Sequence, residues 1–306
     1  MTFYVTVRNH DRPRLPGPAS NPRVPLAWLA LAFGSALPAI VWRQLLDETP
    51  PVWLPGAQAL VLAAGVPLLG RLNSMKPLRG FVAALAAMQL GFLITSLIRE
   101  IPRYAEWASG APDYQDVFVS ASVLLIPGLL MLLTAVADGL GPGELFLQTG
   151  DVATPSRIPG TERRISWSRL GPLLVALFTV PLAVQLIFAN DPDFDRLDKA
   201  VALLPLALSF GAVNALSEEL RFRCVLLARL VPVVGAEASL WMTALLFGLA
   251  HWYGGNPSGP TGVAMTTVFG LVLAKSMLET RGLFWAWAMH GAADVVIFTI
   301  LVMSAP

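Results

Sequence analysis

The apolar residues of this chain are gathered into long blocks, and nothing else in it so narrows what it can fold into. Such runs occupy about 26–46, 52–70, 80–98, 117–137, 170–189, 200–217, 236–250, 261–278 and 283–303. A helix needs about 20 apolar residues to cross the hydrocarbon core of a bilayer. In that solvent only a helix or a closed barrel satisfies its own backbone. Composition agrees: 55% of the 306 residues are hydrophobic and 13% charged, against about 25% charged in a typical soluble domain. Too little polar surface remains to coat a soluble globule. The reading is an all-α, polytopic transmembrane helical bundle of about eight or nine spans. Prolines within the runs (Pro38, Pro67, Pro127, Pro181, Pro205) predict kinks, since bundle neighbours can satisfy the freed carbonyls.

The ends and loops set an organisation. Residues 1–24 are polar and proline-rich, and the run after them is as long as a span, unlike the short apolar region of a cleavable signal peptide. The opening TFYVTV reads either as a short strand or as part of a disordered tail. Arg8, Arg12, Arg14 and Arg23 precede the first run, and Arg71, Lys76 and Arg79 fall in the loop at 71–79. The loops at 99–116 and 190–198 are acid-rich, so the positive-inside rule puts the N-terminus in the cytoplasm. The expected division is a cytoplasmic tail at 1–24, spans of unread role at 25–140, a polar interfacial linker at 141–168 and a second membrane domain at 169–303. A net charge of +1 gives no reason to expect nucleic acid as a partner. The single cysteine, Cys224, forms no intrachain disulfide and leaves the redox compartment open.

Charged and polar residues inside apolar segments are expensive, about 2.5–3.5 kcal/mol each on insertion scales, and they usually face the bundle interior. The second half has three such clusters. In Glu218-Glu219-Leu-Arg-Phe-Arg223, a helix continuing from 200 to about 230 places Glu219 and Arg223 one turn apart on one face. Glu218 then lies about 100° round the helix, free to act while its neighbour is held. The second cluster is Phe247-Gly-Leu-Ala-His251 and the third His290-Gly-Ala-Ala-Asp294, near the middle of the last run. Taken singly, each has a plain explanation. A glutamate pair can end a helix at the solvated interface, a histidine can bond a carbonyl across the bundle, and Asp294 can simply partner His290. Three together favour a shared use. Glu, His, His and Asp suit a general base with proton-carrying or oxyanion-stabilising partners, and they are also possible zinc ligands. The helix-borne HExxH pattern is absent.

The ordered motifs EExxxR (Glu218, Glu219, Arg223), FxxxH (Phe247, His251) and HxxxD (His290, Asp294) resemble the CPBP family. These are the CAAX prenyl endopeptidase-like intramembrane proteases, also called the ABI family. The flanks ALSEELRFR, TALLFGLAH and LFWAWAMHGAAD agree, and the likeness spans about 165–303. It implies a bundle enclosing an intramembrane polar chamber. It implies that Glu218, assisted by His251, activates the attacking water and that His290 and Asp294 stabilise the oxyanion. Glu219 and Arg223 are then the supporting pair, with Phe247 in the same motif set. Two positions depart from the pattern. Cys224 stands where a glycine is common, and Asp294 stands where the prenyl-protease branch has asparagine. An aspartate is the better metal ligand and donates a hydrogen bond only when protonated.

The function expected from this resemblance is an intramembrane endopeptidase. It would act on a membrane-associated peptide or protein, either prenylated and CAAX-like or of the bacteriocin type. Its mechanism is either glutamate–histidine alone or a zinc-dependent metalloendopeptidase with Glu218, His251, His290 and Asp294 as candidate ligands. The alternatives are a proton-coupled transporter and an inert bacteriocin-immunity protein using the same chamber. Membrane lipid and a peptide or lipidated protein substrate are the expected partners. The expected location is a bacterial plasma membrane, and the oligomeric state stays open.

Overall fold

The prolines and the apolar blocks together explain where the helices start and bend. In the computed structural model, which describes residues 21–304 except Pro159 and Asn256, the first block is divided into α1 (Arg23–Phe33) and α2 (Leu37–Leu46). Pro38 sits in the first turn of α2, where a missing N–H costs nothing, so it starts a helix and does not kink one. α1 and α2 meet at 55°. Pro205 acts the same way. It opens α10 (Leu204–Glu219) after α9 (Leu197–Ala202), across a bend of 71°. Pro67 and Pro181 instead lie inside α3 (Leu54–Arg71) and α8 (Trp167–Asn190).

The remaining elements are α4 (Arg79–Arg99), α5 (Pro102–Gly110), α6 (Asp113–Val123), α7 (Leu125–Ala137), α11 (Val225–Val234), α12 (Ala236–Ala250), α13 (Gly259–Thr280) and α14 (Phe284–Ser304). Six helical stretches are long and apolar enough to cross a membrane, and eight if each bent pair is one span. The run at 236–250 drops out of the expected nine, because the 15 residues of α12 reach only about 22 Å at 1.5 Å per residue. This is a polytopic helical membrane protein. The strand considered for TFYVTV lies outside the described residues.

Within the polar stretch after α7, two short strands, Pro155–Arg157 (β1) and Arg164–Ser166 (β2), pair antiparallel. The stretch docks on the turn between α13 and α14. Trp167 Nε1 donates to Glu279, Lys275 pairs with Glu279 and Ser156 Oγ, and Trp285 Nε1 donates to the carbonyl of Val152.

The core runs through α4, α11, α12, α13 and α14, with Phe81, Leu85, Leu226, Leu227, Leu273 and Met289 buried. α10 packs closely against α14, and glycine makes this possible. A Cβ on Gly211 would lie 2.6 Å from the carbonyl oxygen of Gly291. That close crossing brings the acids at the end of α10 to the polar residues of α14.

Candidate functional site

Glu218 and Glu219 end α10, and the chain continues without a break into a π-helical turn, Leu220–Cys224, and then α11. A π turn widens the helix locally and is common at functional sites. Here it buries Arg221 and Arg223 against α7 and α12, with Arg223 also reaching Gly270 of α13, where polar atoms need partners. Glu219 and Arg223, both fully buried, form the expected i, i+4 pair, with Arg223 Nη1 donating to Glu219 Oε1 at 2.6 Å. Arg223 also lies over the face of Phe247, its guanidinium carbon 4.4 Å from the ring centroid.

His290 joins the two acids. Its Nδ1 lies 2.8 Å from Glu219 Oε1 and its Nε2 lies 3.4 Å from Glu218 Oε2. An ionised carboxylate only accepts, so Nδ1–H is the donor to Glu219. The two neighbouring acids, expected to face apart, therefore converge on opposite edges of one imidazole. Glu218 is not left free of arginine either, since Arg221 Nη2 stands 3.4 Å from its Oε1. Sequence spacing identified the Glu219–Arg223 pair but not the Glu218–Arg221 one, although the i, i+3 interval was there to be read.

His251 follows the last residue of α12, with Nδ1 3.0 Å from the carbonyl oxygen of Phe247. The Phe247 ring makes edge-to-face contacts with the His251 ring at a centroid distance of 4.8 Å and with the His290 ring at 5.6 Å. Phe247 thus spaces Arg223 and the two histidines with one ring. Gly255, at φ +79°, packs against His251, and a Cβ there would lie 2.6 Å from His251 Cδ2. Gly255→Ala is therefore expected to displace the His251 ring. It should lower the rate of a reaction that uses His251 by about 10–10²-fold, since a misplacement of about 1 Å is enough for that. Initial rates with wild type and variant side by side check this, and equal rates contradict it.

Asp294 Oδ2 lies 3.9 Å from His290 Nε2 and accepts a hydrogen bond from Asn214 Nδ2 at 3.1 Å. Asn214 is a site residue that motif reading missed. Its position one turn before Glu218 was the available signal. Cys224 is fully buried and packs in the apolar core, away from any nucleophilic use.

Two cavities meet at these groups. One, of about 380 Å³, is walled by apolar side chains such as Val117, Phe178, Phe210 and Phe269, with Asn214, Glu218, His251, His290 and Asp294 at its polar end. The other, of about 550 Å³, runs between the first helices and the site, past Gln58, Gln89, Ser96, Arg99, Glu100 and Arg221. Glu218, His251, Gly255, Leu124 and Arg99 line both. The first helices, which carry no readable motif, thus form part of the wall around the acids.

Zinc needs nitrogen and oxygen donors converging on one point at about 2.0–2.2 Å. Both ring nitrogens of His290 face carboxylates and Nδ1 of His251 faces a carbonyl. Among the described residues, no group of three or more His, Cys, Asp or Glu side chains is placed to hold a metal ion. The set Glu218, His251, His290 and Asp294 does not fit zinc as arranged.

Paired acids, buried arginines and two histidines thus stand at the meeting point of two cavities in a helical membrane protein. Residues 200–296 match the family model described as type II CAAX prenyl endopeptidase, Rce1-like. The matched segment is similar to CAAX-type intramembrane proteases and contains every residue of the three motifs. No curated protein and no solved structure matches the chain.

Proposed function

We propose that the protein hydrolyses a peptide bond of a membrane-associated peptide or lipidated protein, with Glu218 as general base. The observation that carries this reading is the placement of Glu218 and His251 on both cavities, next to His290. A water between Glu218 and His251 gives its proton to the Glu218 carboxylate as it attacks the scissile carbonyl. Arg221, beside Glu218 Oε1, keeps that carboxylate oriented. His290, positioned by Glu219 through Nδ1, donates from Nε2 to the oxyanion of the tetrahedral intermediate, with Asp294 beside that nitrogen. The proton on Glu218 then passes to the leaving amine, and the two products part into the two cavities.

Both cavities are walled mainly by apolar side chains and reach the polar groups, which supports a lipid-bearing substrate. The second cavity, which reaches Glu218 and His251 from the side of the first helices, supports a peptide on the other side of the scissile bond. The carboxylates already paired with both His290 nitrogens support chemistry run by the side chains alone. Prolonged treatment with a zinc chelator is accordingly expected to leave cleavage unchanged, with elemental analysis of the same sample reporting no stoichiometric metal. Inactivation by the chelator, restored by zinc, contradicts this.

The test of the substrate is a comparison of farnesylated and unmodified peptides of one sequence, ending in a CAAX-like tetrapeptide, with the protein in liposomes. Cleavage of the farnesylated form at the lower KM is expected. Equal handling of both peptides overturns the lipid part of the proposal, and cleavage of neither overturns the whole.

A further inference from the structure

The third carboxylate of the site has a partner that no motif names. Asp294 Oδ2 stands 3.9 Å from His290 Nε2, and Glu218 Oε2 stands 3.4 Å from the same nitrogen. The other ring nitrogen is already bound to Glu219 at 2.8 Å. One imidazole edge therefore has two competing acceptors, and what holds Asp294 decides the competition. That group is Asn214, whose Nδ2–H donates to Asp294 Oδ2 at 3.1 Å from the neighbouring helix.

We propose that Asn214 is a positioning residue of the reaction centre, holding Asp294 Oδ2 so that His290 Nε2 remains with Glu218. The inference rests on the protease reading for its catalytic consequence, though not for the geometry. Asn214 lies one helical turn before Glu218 on α10 and lines the same cavity as Glu218, His290 and Asp294. An amide is a neutral donor, so it satisfies a carboxylate oxygen without adding charge. Neutrality matters because three acids (Glu218, Glu219, Asp294) already share the site with two arginines (Arg221, Arg223). A lysine in place of Asn214 would draw Asp294 into an ion pair. An aspartate there would bring a fourth acid against the third, and like charges at that distance repel strongly where water is scarce.

The test uses the full-length protein in liposomes, with Asn214→Ala, Asn214→Asp and the exchange Asn214→Asp/Asp294→Asn. Both single variants are expected to lower kcat by about 10²-fold with little change in KM, the signature of a misplaced reacting group. The exchange restores one acid and one amide to the pair and is expected to recover most of kcat. A second readout needs no substrate. The chain has three histidines, so histidine-selective 15N labelling gives few signals, and a His290→Gln variant assigns the one of interest. The Nε2 resonance of His290 is expected to move in Asn214→Ala and to return toward its wild-type position in the exchange.

An unmoved resonance overturns the inference, as does an Asn214→Ala protein with wild-type kcat, or an exchange no more active than Asn214→Asp. If Asn214→Asp does not fold, Asn214→Ala carries both readouts alone. A wild type that cleaves nothing while the resonance moves removes the protease reading and leaves the coupling standing. Wild-type cleavage with an unmoved resonance removes this inference only.

Discussion

Glu218→Gln is expected to abolish peptide-bond hydrolysis, lowering kcat by about 10²–10⁴-fold, the range a positioned general base supplies. Gln has the size of Glu and keeps an oxygen that can accept from Arg221, but it cannot take a proton from water. Folding should survive, because Glu218 meets its partners loosely, at 3.4 Å from Arg221 and 3.4 Å from His290. A wild-type thermal midpoint with lost turnover is the expected pair of results. A midpoint that collapses along with activity would make Glu218 a structural residue.

The neighbouring pair should behave the opposite way. Glu219 and Arg223 are fully buried and bonded at 2.6 Å, and Arg223 also covers the ring of Phe247. Arg223→Ala leaves the Glu219 carboxylate buried with His290 as its remaining partner and opens space under Phe247. Breaking a buried pair from one side costs about 3–5 kcal/mol. The expected result is a large drop in the thermal midpoint, measured in detergent by intrinsic fluorescence. Glu219→Gln should lose less, since an amide still accepts from Arg223. Arg223→Lys should fall between, because an ammonium lacks the planar fork that reaches both Glu219 and the ring. An unchanged midpoint in Arg223→Ala contradicts this account of the π turn.

These two predictions divide two adjacent residues by role, and much of that division was legible in the sequence. The apolar blocks gave the helical bundle, because a membrane leaves a chain few other choices. The i, i+4 spacing gave the Glu219–Arg223 pair, and the three motif clusters gave the residues that meet. What stayed hidden depends on distances between helices. Glu218 and Glu219 point 100° apart on an ideal helix, yet both reach His290, because that ring on α14 lies between them and offers a nitrogen to each. The close crossing of α10 and α14 at Gly211 and Gly291 puts it there, and neither glycine looked special among 25. Asn214 was hidden for the same reason: its partner is 80 residues away. The second cavity draws on helices with no motif, since a wall needs only shape and a few polar tips.

The central claim is that Glu218 activates water against a peptide bond, and one measurement meets it directly. Wild type and Glu218→Gln, each in liposomes, are incubated with a farnesylated CAAX-like peptide in water enriched in 18O, and the products are read by mass spectrometry. The account predicts that wild type releases a fragment carrying one 18O in its new carboxyl terminus, while Glu218→Gln leaves the peptide intact. Cleavage by Glu218→Gln at the wild-type rate, or an intact peptide in both, contradicts it.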